Sequence, residues 1–294
     1  MYHQRRLGIL LPTNNPLEWG TCLGPSLKFL SPLAKQISVE FLYHFQGPWT
    51  PALIQTAVKT TEAAGFTARW CYSEQRPYSA YKLRADAARL SRQCDYYMLC
   101  DDNVIFATAG TPLYPRGSAE RYAQVIEYFE DFPRCGVVTC EGSLGGSFQR
   151  EAIMPTTSAL MATARGLFFR NVNGGKIHTD EEESLIGGLG ESVLAYGLMA
   201  KGYFIAKSMN HPTRHVHLTK VKGANGILKN DAVLHEEGLE YIRRTYHDRW
   251  WTHSSGAYPR TLVEQYKAIG ADMRAIYSGI GPHRRSTHYR KEYP

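Results

Sequence analysis

Over its first hundred residues this chain alternates short apolar runs with stretches of helical pattern, and that rhythm limits the fold more than any single motif does. Leu7-Gly8-Ile9-Leu10-Leu11 is a compact apolar run closed by Pro12-Thr13-Asn14-Asn15-Pro16, a loop signature. Leu17 to Ala34 reads as helical, with Pro25 and Pro32 breaking the pattern. Ile37 to Tyr43 alternates as a strand does. Pro51 to Ala64 reads as a helix with proline in its first turn and Gly65 at its end. Phe66 to Tyr72 is a third strand, Tyr81 to Arg92 a helix, and Asp95-Tyr96-Tyr97-Met98-Leu99 a fourth strand. Strands alternating with helices of this length predict an α/β fold with a mostly parallel central sheet covered on both faces. Neither GxGxxG nor GxxxxGK[ST] occurs, so dinucleotide-binding and P-loop readings have no support.

The rhythm continues less regularly. Ser118 to Phe132 is an amphipathic helix, with Tyr122, Val125, Ile126 and Phe129 on one face. Gly136 to Thr139 is a strand, Gly142 to Pro155 a glycine-rich polar loop, and Ala159 to Arg170 returns to apolar content. Gly187-Gly188-Leu189-Gly190-Glu191-Ser192 opens a helix that closes at Lys201-Gly202, with Glu191 in the first turn, where the helix dipole favours its ionised form. Tyr203 to Lys207 is a short strand running into the densest histidine cluster, His211 to His217. Asp231 to Tyr246 and Thr261 to Tyr277 read as helices, followed by a basic tail. A boundary near Gly223 to Gly226 divides residues 1–222 from a helical, basic extension, 223–294.

The fourth strand ends in Cys100-Asp101-Asp102-Asn103. Burying adjacent carboxylates is costly unless a cation meets them, and in open α/β sheets ligands bind outside the carboxyl ends of strands. Oxygen donors such as Asp101 and Asn103 suit a hard divalent cation that could carry a diphosphate. The competing reading is a polar turn. A formal net charge of +7 favours an anionic partner. The six cysteines show no CxxC pair and read as reduced and structural. No apolar run reaches the length of a membrane span, and the N-terminal run is too short for a signal-peptide core. The expectation is a soluble, cytoplasmic protein.

Taken together, these segments resemble the GT-A glycosyltransferases, over roughly residues 7 to 217. Ile9-Leu10-Leu11-Pro12-Thr13-Asn14-Asn15 resembles that family's first strand and nucleotide-pocket loop. Tyr97 to Val104 resembles the strand ending in its DxD motif, with Asn103 where the second Asp usually stands. Gly190-Glu191-Ser192 with Ala200-Lys201-Gly202-Tyr203 resembles its GED segment, with Ser192 in place of an Asp. Thr213-Arg214-His215-Val216-His217 resembles its SRxxH segment. The resemblance implies a Rossmann-like GT-A catalytic domain and a nucleoside-diphosphate sugar as donor. It implies donor contacts from Pro12, Thr13, Asn15, Asp101 and Asp102, and Mn²⁺ or Mg²⁺ held by Asp101, Asn103 and His217, with His215 as the alternative histidine. Such an ion would stabilise the leaving diphosphate. Glu191 would be the general base, or would bind the acceptor. Arg84 would approach the diphosphate; its competing reading is a solvated helix face among other basic residues.

The acceptor is read from the C-terminal third. Tyr241, Arg243, Arg244, Tyr246, Arg249, Trp250 and Trp251 combine cations with aromatic rings, as phosphate contacts plus base stacking require. A hydroxymethylated base in DNA, as in phage-encoded enzymes of this kind, is one expectation; it requires base flipping or a single strand. A transferase building a bacterial surface glycan, its basic face resting on anionic lipid, is the second. A catalytically silent nucleic-acid-binding protein on the same scaffold is the third.

Overall fold

A computed structural model describes residues 5–74, 80–108, 110, 117–140, 167–185, 190–201, 203–208, 213–215, 238, 240–241 and 244–245. Strand β1 (Arg6–Thr13) lies at the heart of the sheet. It pairs in parallel with β2 (Ser38–Gln46) along its whole length, from Arg6 opposite Ser38 to Thr13 opposite Phe45. Leu7, Ile9, Leu10 and Leu11 are all fully buried. Successive strand residues point to opposite faces, so this run means that both faces are covered, as parallel sheets demand.

Between β1 and β2 the chain does not form the single helix that the pattern suggested. It makes a series of short turns instead, Pro16–Glu18, Trp19–Leu23, Gly24–Ser26, Leu27–Phe29 and Ser31–Lys35. Prolines lack the N–H that a continuing helix needs, and the Trp19 ring folds back onto Gly24. A Cβ on Gly24 would lie 2.9 Å from that ring.

Helix α1 (Pro51–Ala63) follows β2, capped by the Thr50 hydroxyl, which accepts from the Leu53 N–H at 3.3 Å. It ends at Gly65, whose φ of 90° is the left-handed conformation that favours glycine. Strand β3 (Thr67–Ser73) pairs in parallel outside β2. Helix α2 (Ala80–Arg89) returns the chain to β4 (Tyr96–Leu99), which pairs in parallel on the other side of β1. Beyond β4 come β5 (Val104–Phe106), α3 (Ser118–Asp131), β6 (Cys135–Cys140), β7 (Leu167–Arg170), α4 (Asp180–Ser184), α5 (Gly190–Ala200), β8 (Phe204–Ser208) and β9 (Thr213–His215).

The large sheet has seven strands in the order β3-β2-β1-β4-β7-β6-β8. It is mostly parallel, as expected, but β7 runs antiparallel to both neighbours, β4 and β6. The apolar stretch ending at Arg170 supplies this reversed strand. Strands β5 and β9 form a separate antiparallel pair. Of the C-terminal extension, Tyr241 is buried and donates to Glu182 Oε1 at 2.9 Å, and Arg244 pairs with Glu181. Both contacts fall on α4. The glycine-rich stretch 142–155, the helix expected at 261–277 and the basic tail lie outside the described residues. Among the described residues no helix is long and apolar enough to cross a membrane.

Candidate active site

The chain leaves β1 toward β2 and β3 on one side, then crosses to place β4 on the other. The strand order therefore reverses between β1 and β4, and the crevice at such a switch point is where open α/β sheets bind ligands. The carboxyl ends of these two strands carry Thr13 and Cys100-Asp101-Asp102-Asn103.

Asp102 is buried at 9% exposure, and its Oδ2 accepts from the Thr13 hydroxyl at 2.6 Å. Burial pushes its carboxyl up to about 7; the Thr13 hydroxyl opposes this, the charges of Asp101 and Glu18 add to it, and the Asn15 N–H opposes it. Asn15 itself caps the turn Pro16–Glu18, its side chain accepting from the Glu18 N–H at 3.2 Å. Pro12, one residue before Thr13, is half-buried. Asp101 and Asn103 are half-buried, and the Asn103 Oδ1 is buried without a hydrogen-bond donor. The Asn103 Oδ1, a buried oxygen with no donor, beside the half-buried Asp101 carboxylate is an oxygen donor set that fits a divalent ion.

Arg84 does not lie on a solvated face, and that reading is corrected here. Its side chain is 8% exposed, and Nη2 lies 2.5 Å from Oε1 of Glu191, itself 7% exposed. Burial alone would lower the guanidinium pKa, but the charges of Glu191 and Asp101 outweigh it and raise it. Arg84 thus links the acidic loop to the first turn of α5. Gly190 makes room for it, because a Cβ there would sit 3.1 Å from Arg84 Nη1. The outer side of α2 is joined to α4 through Glu183, which pairs with Arg89 and lies 3.9 Å from Lys82, while Asp86 of α2 itself pairs with both cations.

His217 lies outside the described residues, as does the side chain of Ser192. Strand β9, just before His217, pairs with β5 so that His215 stands opposite Val104, next to Asn103. The backbone of His215, the last described residue of that segment, therefore lies beside Val104 at the end of the acidic loop. Among the described residues no three His, Cys, Asp or Glu side chains converge to hold a metal by themselves. The sequence reading missed three things: the Thr13–Asp102 bond, the space that Gly190 leaves for Arg84, and the charge of Glu18 near Asp102. Only Gly190 had a visible signal, in its run of glycines.

Among solved structures, the fold matches the mannosyltransferase PcManGT from Pyrobaculum calidifontis, determined in complex with GDP-Man and Mn²⁺. The match covers 95% of this chain and 74% of that one, at 13% identity and a TM-score of 0.52. This chain has a GT-A fold. TarS from S. aureus, residues 1–349 in complex with UDP, aligns over 66% of this chain at 13% identity and a TM-score of 0.48. The chain spans 55% of that TarS structure. No protein-family model and no curated protein sequence matches.

Proposed function

We propose that this protein is a metal-dependent glycosyltransferase that moves a sugar from a nucleoside-diphosphate donor to an acceptor hydroxyl. One observation carries the reading: Asp101, Asp102 and Asn103 stand at the strand-order reversal of a GT-A sheet, with the buried cation Arg84 close by. The complex of PcManGT with GDP-Man and Mn²⁺ supports the donor class and the metal. Asp101 and Asn103 would hold the ion, with His217 as third donor. A divalent ion bound there would neutralise the charge that develops on the leaving diphosphate.

The chain's own groups would divide the remaining work. Pro12, Thr13 and Asn15 border the nucleotide side of the cleft. Arg84, fixed by Glu191, holds positive charge beside the acidic loop in a water-poor setting, where it acts more strongly than it would in water. Glu191 would accept the proton of the acceptor hydroxyl through the carboxylate oxygen that Arg84 does not take.

For the acceptor we propose a hydroxymethylated base in DNA. Its support is the net charge of +7 and the arginine- and aromatic-rich run 241–251. Incubation with UDP- and GDP-linked sugars and Mn²⁺ tests the donor reading by release of nucleoside diphosphate; a CMP-linked sugar, which can release only CMP, is the contrast. Asp101→Ala should abolish release while leaving the circular dichroism spectrum unchanged; full release by that variant would remove the assignment. Duplex affinity that falls steeply as salt rises supports the DNA acceptor. Affinity for duplex that ignores salt argues against it.

A further inference from the structure

Asp102 stands between two candidate cation donors, yet its carboxylate is committed inward. The Thr13–Asp102 bond is buried and joins residues 89 apart in sequence. Thr13 is 3% exposed, less than Asp102 itself. The Asn15 backbone N–H donates to the same carboxylate, and Asn15 in turn caps the turn that follows. A single side chain therefore ties the loop after β1 to the loop after β4, across the reversal point of the sheet. The flanking residues differ: Asp101 and Asn103 are half-buried, and Asn103 keeps an oxygen without a donor.

We propose that Asp102 is a positioning residue, a latch between the two loops, and not a ligand of the cation. Latched, Thr13 to Asn15 and Asp101 to Asn103 present a preformed cleft, so a nucleoside diphosphate and its ion need not order two loops on binding. The ligands in this inference rest on the glycosyltransferase reading above; the bond does not.

The test uses the full chain and the variants Thr13→Val, Thr13→Ser, Asp102→Asn, Asp102→Ala and the double variant T13V/D102A. UDP and GDP are titrated calorimetrically with and without Mn²⁺, and each variant is also melted without ligand. Losing this buried hydrogen bond should weaken Mn²⁺-dependent nucleotide binding roughly tenfold or more in T13V and in D102A. T13S should restore it, D102N should lose much less than D102A because its amide oxygen still accepts, and the double variant should be no worse than the poorer single. The latch is overturned if D102N loses as much as D102A while T13V binds as the unmodified protein does, since Asp102 is then a ligand. Additive losses overturn it as well. If the unmodified protein binds neither nucleotide, the glycosyltransferase reading fails on its own, and the ligand-free melting cycle still decides the latch: overlapping shifts support it and additive shifts refute it.

Discussion

Glu191→Gln isolates the energetics of the buried pair at the centre of the site. The substitution keeps size and removes charge, leaving the Arg84 guanidinium without its nearest counter-ion. Both side chains are under a tenth exposed and their closest atoms are 2.5 Å apart, so solvent does little to screen the loss. Removing one partner of such a pair typically costs about 3–5 kcal/mol, because the remaining charge stays buried and uncompensated. Asp101 still acts on Arg84, which places the expected loss near the lower end, ~3 kcal/mol. At roughly 2–4 °C per kcal/mol for a chain of this size, the melting temperature should fall by about 6–12 °C. Urea unfolding followed by circular dichroism reads the same loss as a lower midpoint at constant slope. Arg84→Met should cost a comparable amount, and the double variant R84M/E191Q less than the sum of the two, since neither buried charge of the pair remains. A single-variant loss below about 1 kcal/mol, or a double variant that loses the full sum, would refute a directly coupled buried pair.

Three further outcomes follow from other residues. His44 is buried and its Nε2 lies 2.9 Å from the Ser73 hydroxyl; burial holds its pKa below the ordinary 6.5, with Asp86 opposing only in part. As pH falls the unfolded ring takes its proton first, so stability should be full above 6.5 and decline below it. His44→Gln should flatten that decline in urea midpoints measured on both sides of the window. Gly190→Ala gains helix propensity but crowds Arg84 at 3.1 Å. Because Arg84 is pinned by Glu191, a net loss of about 1–2 kcal/mol is expected in thermal melts. Gly8→Ala would place a methyl 2.8 Å from the Tyr97 ring and 2.9 Å from Leu42; overpacking of this kind costs about 1–3 kcal/mol, read as a lower urea midpoint.

The strands were legible because each is an apolar run bounded by turn residues, and β1 to β4 fall within a residue or so of expectation at most ends. Their order was not legible, since nothing local in Leu167–Arg170 distinguishes an antiparallel strand from a parallel one. Arg84 is instructive. Its basic neighbours Lys82 and Arg89 suggested a solvated face, but it lies three residues after Tyr81 and four before Ala88, both fully buried. Helical spacing therefore already placed it on the apolar stripe, and the charge of its neighbours concealed this. The Thr13–Asp102 bond lay beyond the sequence, because a contact 89 residues long depends on β1 and β4 being adjacent. The Asp101–Asn103 segment stood out in the sequence for the opposite reason: carboxylates at the end of a buried strand conflict with local burial, the kind of conflict that marks a candidate site.

The passage from Leu99 to Val104 has a mechanical side. Strand β4 belongs to the large sheet and β5 to the small one, so Cys100 to Asn103 form a tether only four residues long between two separately hydrogen-bonded bodies. Four residues have little slack. A shift of the antiparallel pair β5 and β9 would therefore be transmitted directly to the spacing of Asp101 and Asn103, the two residues proposed above to hold the ion.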